Sequence, residues 1–176
     1  MSILDHFSLP FSGMKDGFHV YNFDVENDFF KSFEHSPVQD GQFRITVEAD
    51  KRPGITDLDI IIEGHVGTTC DRCLADINLP VYGAYHLVVK IGDEVSDDDE
   101  IIFLAADQPK LYLAQVFYEL ICVSLPLINT YDCEFDMPKP CNQDILSKIS
   151  AQVFEEEEPK NENNIWGDLK SILPDN

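Results

Sequence analysis

Cys70-Asp71-Arg72-Cys73 places two thiols at the spacing from which both sulfurs reach one tetrahedral zinc ion without strain. Cys133 and Cys141 lie downstream and would complete a four-cysteine ligand set. Such a site is structural, because four protein ligands leave no open position for a substrate. Seven residues separate Cys133 from Cys141, more than the common two to four, so the second pair is the weaker half. His65 stands close enough before the first pair to replace one ligand. The competing reading is four reduced, partly buried thiols, since cysteine is often a small core residue. A redox-active pair is disfavoured. Such pairs sit at a helix N-terminus in a βαβ setting, whereas this one follows a strand-like run and carries Asp71 between its thiols.

Other chemistry is sparse. The chain has no Gly-x-Gly-x-x-Gly, Walker loop, His-Glu-x-x-His or Gly-x-Ser-x-Gly motif, and its five histidines are scattered. An enzyme is not indicated. Glu119 lies in an otherwise apolar run, and a carboxylate facing a core needs a partner. We expect it to be architectural, bonded to backbone or to Arg72; catalysis is the alternative.

Several elements must position these residues. Apolar and polar residues alternate over 18–25 and 43–49, and 58–66 reads as a third strand ending at the cysteine pair. Asp40-Gly41 and Pro53-Gly54 are turn signals. Segment 79–91 reads as one long strand, kinked at Gly83, and 100–104 as a short one. Strands in succession imply an α+β fold with a largely antiparallel sheet. Pro109 suits the first turn of a helix that continues over 111–125 until Pro126 stops it. A helix this apolar is expected to be long, buried and packed on the sheet, with Cys122 in the core.

The Asp-, Pro- and Cys-rich stretch 129–142 reads as an irregular excursion that something must hold, and zinc would hold it. We expect a single domain over 1–150, an acidic linker over 151–164 and a short amphipathic segment over 165–176, helical over 165–173. That helix, with Trp166 and Leu169 on its apolar side, is too short to stand alone. It docks either on its own domain or, as a recognition peptide, in a partner's groove.

Cys-Asp-Arg-Cys-Leu at 70–74, the strand before it, the acidic run 97–100, the apolar segment ending in Leu125-Pro126-Leu127 and the terminal Trp166-Gly167-Asp168-Leu169-Lys170 occur in a telling order. In this the chain resembles the YceD-like family, the large ribosomal RNA subunit accumulation proteins, from about Phe18 to Leu173. The resemblance implies a non-enzymatic accessory factor in large ribosomal subunit biogenesis, acting on the accumulation or processing of 23S rRNA.

Charge narrows the choice of partner. Acidic residues number 33 against 12 basic ones, a net charge of −21. Nucleic-acid affinity comes from Lys and Arg displacing counterions, so direct binding to naked RNA is disfavoured. A basic ribosomal protein or an assembly intermediate is favoured, with solubility alone as the bland account of the charge. The alternative function is a zinc-stabilised interaction module unrelated to ribosomes. The run 92–100 lacks the Asp-x-Asp-x-Asp-Gly pattern of a calcium loop and reads as a solvated loop. Residues 1–6 do not make a signal peptide, and the longest apolar segment is broken by Gln115, Glu119, Ser124 and Pro126, so no membrane partner and a cytoplasmic location are expected.

Overall fold

The alternation in the first half becomes a sheet with one dry face. The computed structural model describes residues 3–92, 98 and 100–152. After a 3-10 turn at Ile3–His6 come β1 (Ser8–Leu9), β2 (Gly17–Val25), α1 (Asn27–Phe30), β3 (Gly41–Arg52), β4 (Ile55–Thr69) and β5 (Asp76–Ile91). They are followed by β6 (Ile101–Leu104), β7 (Leu111–Tyr112), α2 (Ala114–Ser124) and α3 (Gln143–Gln152). Sheet order is β2-β3-β4-β5-β6, and β1 pairs separately with β7.

Strands β2 to β5 are antiparallel neighbours, whereas β6 runs parallel to β5 with Val88 beside Ile101. The sheet is therefore mixed at one edge. Phe43, Ile45, Val47 and Ala49 of β3 face inward with Leu58, Ile60 and Ile62 of β4, and all are buried. Phe7, Phe23, Phe29 and Phe117 close the core over this face, with Phe23 and Phe117 ring centroids 5.2 Å apart. The opposite face, through Asp24, Arg44, Glu63 and Tyr82, is open to solvent.

The expectation of one long buried helix over 111–125 is corrected. Leu111 and Tyr112 pair with Leu9 and Ser8 as β7, so the helix begins only at Ala114 and has 11 residues. It buries Ala114, Phe117 and Ile121, one stripe at helical spacing. Cys122 is only half-buried, and Val123 and Glu119 face water. Segment 58–66 lengthens to Ile55–Thr69 because the turn at Pro53-Gly54 is tight, with Gly54 at φ 81°. Strand β5 runs without interruption through Gly83, whose bare Cα leaves room for Ser124 of α2.

Met1–Cys141 forms one compact unit, and a second begins at Asn142 with α3, a helix that runs across position 150. The expected linker and terminal helix, including Trp166 and Leu169, lie outside the described residues.

Candidate functional site

The fifteen residues of β4, fourteen steps of about 3.3 Å, carry the chain roughly 46 Å from the Pro53-Gly54 turn to the far tip of the β4–β5 hairpin. Pairing ends at Thr69 and Asp76, so 70–75 is the closing loop and the Cys-x-x-Cys pair is its turn. Backbone bonds close this loop on itself. The Cys70 N–H donates to the Ala75 carbonyl at 2.8 Å and the Leu74 N–H to the Cys70 carbonyl at 2.9 Å. Leu74 takes the left-handed conformation at φ 56°, which reverses the chain and leaves its side chain in water.

Segment 125–142 is irregular, as expected. It meets the hairpin tip through a reciprocal pair: the Asp71 N–H donates to the Asn129 carbonyl at 3.1 Å, and the Asn129 N–H donates to Asp71 Oδ2 at 2.6 Å. Farther along, the Tyr131 hydroxyl donates to Asp136 Oδ2, which pushes the Tyr131 pKa up to about 12. Asp71→Ala removes the acceptor of a charge-assisted bond and should cost about 1–2 kcal/mol. Hydrogen exchange should rise over 126–141 and stay unchanged in β3; unchanged exchange at Asn129 would refute the tether.

Cys133 enters from this segment and its Sγ lies 2.9 Å from Cys141 Sγ. No cysteine is in a disulfide. Cys70, Cys73 and Cys133 are buried and Cys141 is half-buried. Arg72, exposed at the turn, reaches Cys133 Sγ with a guanidinium nitrogen at 3.9 Å. Its pKa is raised, first by a hydrogen bond to Cys141 and then, against desolvation, by the nearby sulfurs of Cys133, Cys141 and Cys70. The Cys141 thiol is also pushed up, chiefly by its bond with Cys133, then by burial and by the like charges of Cys133 and Cys73. Arg72 opposes that rise.

Arg72 thus lies within electrostatic reach of Cys70, Cys133 and Cys141, and Cys73 acts on Cys141. Among the described residues, no three His, Cys, Asp or Glu side chains stand in position to hold a metal ion. Tetrahedral zinc at about 2.3 Å per bond needs sulfurs about 3.8 Å apart, wider than the present Cys133–Cys141 contact. His65 projects to the open face of the sheet, paired across from Pro80 and Gln42.

Glu119 corrects the expectation of a buried carboxylate. It is exposed, and Gln115 Nε2 donates to it at 2.7 Å; among the described residues neither Arg72 nor backbone is its hydrogen-bond partner. A helix turn of apolar neighbours did not bury it because α2 touches the core along one stripe only. The open sheet face is a candidate surface that the sequence reading does not single out. Its signal is present in the sequence, since every polar position of the alternating strands must fall on one side.

Fold and site define an α+β protein in which four of the five thiols lie at or near the closed end of a long hairpin and the sheet, among the described residues, presents one acidic face to solvent. The family described as large ribosomal RNA subunit accumulation protein YceD matches residues 58–173. The chain belongs to this family. The match begins in β4 and takes in both cysteine pairs, while β2 and β3 precede it. No curated protein and no solved structure matches the chain significantly. No described helix is long and apolar enough to cross a membrane.

Proposed function

We propose that the protein is a non-enzymatic accessory factor in large-subunit rRNA accumulation that acts as an acidic escort for a basic ribosomal protein or assembly intermediate. The family description supports the ribosomal setting. The open sheet face supports the escort. Strand register brings Asp24, Glu48, Asp50, Asp57, Asp59 and Glu63 to it, against Arg44, Arg52 and Lys90. Several of these are paired: Arg44 with Asp24 at 3.0 Å, Arg52 with Asp50 and Asp57, and His86 with Asp59 at 2.9 Å. Glu48 and Glu63 form no ion pair within the described residues. Phe18, Val20 and Tyr82, also exposed, add apolar contact area on the same face. A surface of this kind suits a Lys- and Arg-rich segment and repels phosphates.

The test presents the full chain with purified large-subunit ribosomal proteins and, separately, with protein-free large-subunit rRNA. Basic ribosomal proteins should be retained at low salt and released steeply as salt rises, because exposed charges are screened beyond about 8 Å at physiological ionic strength. Naked rRNA should not be retained. Glu48→Gln with Glu63→Gln should slow association by roughly threefold to tenfold at low salt and leave dissociation nearly unchanged. Neutralising the acidic run at 155–158 is the matched control. Tight binding of naked rRNA in near-physiological salt would refute the escort mechanism, and retention of neither class would favour the interaction module unrelated to ribosomes.

A further inference from the structure

Segment 125–141 buries the wrong residues for a loop organised by hydrophobic packing. Phe135 and Met137 are 86% and 97% exposed and Leu74 at the hairpin tip is 62% exposed, whereas Cys133, Cys70 and Cys73 retain 5%, 6% and 1% of their surface. Burying a Phe or Met side chain gains about 1.5–3 kcal/mol, more than the smaller cysteine side chain offers. If the thiols were only small core residues, the aromatic and thioether side chains between them would be expected to turn inward first. Three of the four thiols turn inward and Cys141 is half-buried, while the large apolar groups turn out.

The two halves of the cluster come from separate parts of the chain. One is the hairpin turn closed by its own backbone bonds, the other a segment without helix or strand that bonds to the turn through the Asp71–Asn129 pair and the Arg72–Cys133 contact. We propose that Cys70, Cys73, Cys133 and Cys141 bind one zinc ion as thiolates, that Arg72 is the counter-cation of this centre, and that the ion holds segment 125–141 on the hairpin tip. Binding releases the four thiol protons to solvent. One dication with four thiolates carries a net charge of −2, and Arg72 reduces it to −1. In a chain of net charge −21 that neutralisation matters, and Arg72 is the cation found against the sulfurs. Cys133 and Cys141 must separate from 2.9 Å to about 3.8 Å, and because no three described ligands already stand in position to hold a metal, the two pairs must also close on the ion as it binds.

The experiment reconstitutes the reduced full chain with zinc or cobalt(II) under nitrogen. Expected are about one equivalent of metal per chain, a tetrahedral tetrathiolate cobalt spectrum, and full occupancy in Cys122→Ser. Cys73→Ser and Cys141→Ser should each lose the tetrathiolate spectrum. Arg72→Ala should keep the stoichiometry and lose roughly 10–100-fold in affinity against a competing chelator, the scale for a group that tunes metal ligands from outside the coordination sphere. Stripping zinc from the wild type should raise hydrogen exchange over 126–141 while β3–β5 exchange is unchanged. Occupancy below half in the wild type, or a Cys133–Cys141 disulfide as its stable form under nitrogen, overturns the site. Unchanged affinity in Arg72→Ala overturns the role of the arginine, and an unchanged segment in the stripped protein overturns the clamp.

Discussion

Gly64→Ala should destabilise the protein by about 3 kcal/mol or more, at the upper end of what overpacking costs. Gly64 sits in the middle of β4, between Phe43 of β3 and Val81 of β5. A Cβ there would lie 2.2 Å from the Gln42 carbonyl oxygen, 2.6 Å from Phe43 Cδ1 and 2.8 Å from Phe43 Cα. Two of these three atoms are backbone, so no rotamer change relieves the clash, and β3 itself must shift. Moving β3 breaks register on both sides, because it pairs with β2 as well as β4. At about 2–4 °C per kcal/mol for a chain of this size, thermal unfolding should drop by roughly 6–12 °C or more. Gly13→Ala is the control, since the nearest atom its Cβ meets is the Pro10 carbonyl oxygen at an ordinary 3.8 Å. A Gly64→Ala protein that melts like the Gly13→Ala protein would refute this account of strand packing.

The position of Gly64 shows where sequence reading stops. Alternation over 43–49 and 58–66 identifies both strands and which face is dry, because the strand period of two is local information. Register is not local, so the sequence could not show that Gly64 falls opposite Phe43 and must lack a side chain. The parallel pairing of β6 was hidden for the same reason: a four-residue strand carries no sign of its direction relative to β5. Apolar content overstates the helix, because an apolar residue need not be helical or buried. Leu111 and Tyr112 satisfy a strand pair with Ser8 and Leu9, and Val123 stays in water. The cysteine types and the irregular segment between Ser124 and Gln143 were legible, as both rest on composition. That Cys133 and Cys141 meet at 2.9 Å beside Arg72 depends on the path of that segment, which no spacing encodes.

Phe117→Ala tests the helix in its corrected, narrower role. Phe117 is fully buried, packed against Phe23 at 5.2 Å and edge-on to Phe7 at 6.3 Å. With Ala114 and Ile121 it makes the stripe by which α2 holds to the sheet. Truncation removes the largest member of that stripe, leaves a cavity between two aromatic rings, and should cost about 3–5 kcal/mol. Glu119→Ala, two residues along the same helix, removes only an exposed bond from Gln115 and should stay within about 0.5 kcal/mol. The contrast would be reversed if α2 were the buried element with Glu119 as its internal anchor. Because the chain forms two units, hydrogen exchange of β3–β5 amides is a cleaner readout than a single melting curve. Phe117→Ala should accelerate their exchange by roughly 150-fold or more, from the lower bound of about 3 kcal/mol, and Glu119→Ala by no more than about twofold. Exchange in Phe117→Ala within about tenfold of wild type would mean that the sheet stands without α2. The helix would then serve only to deliver the chain to the cysteine segment that follows it.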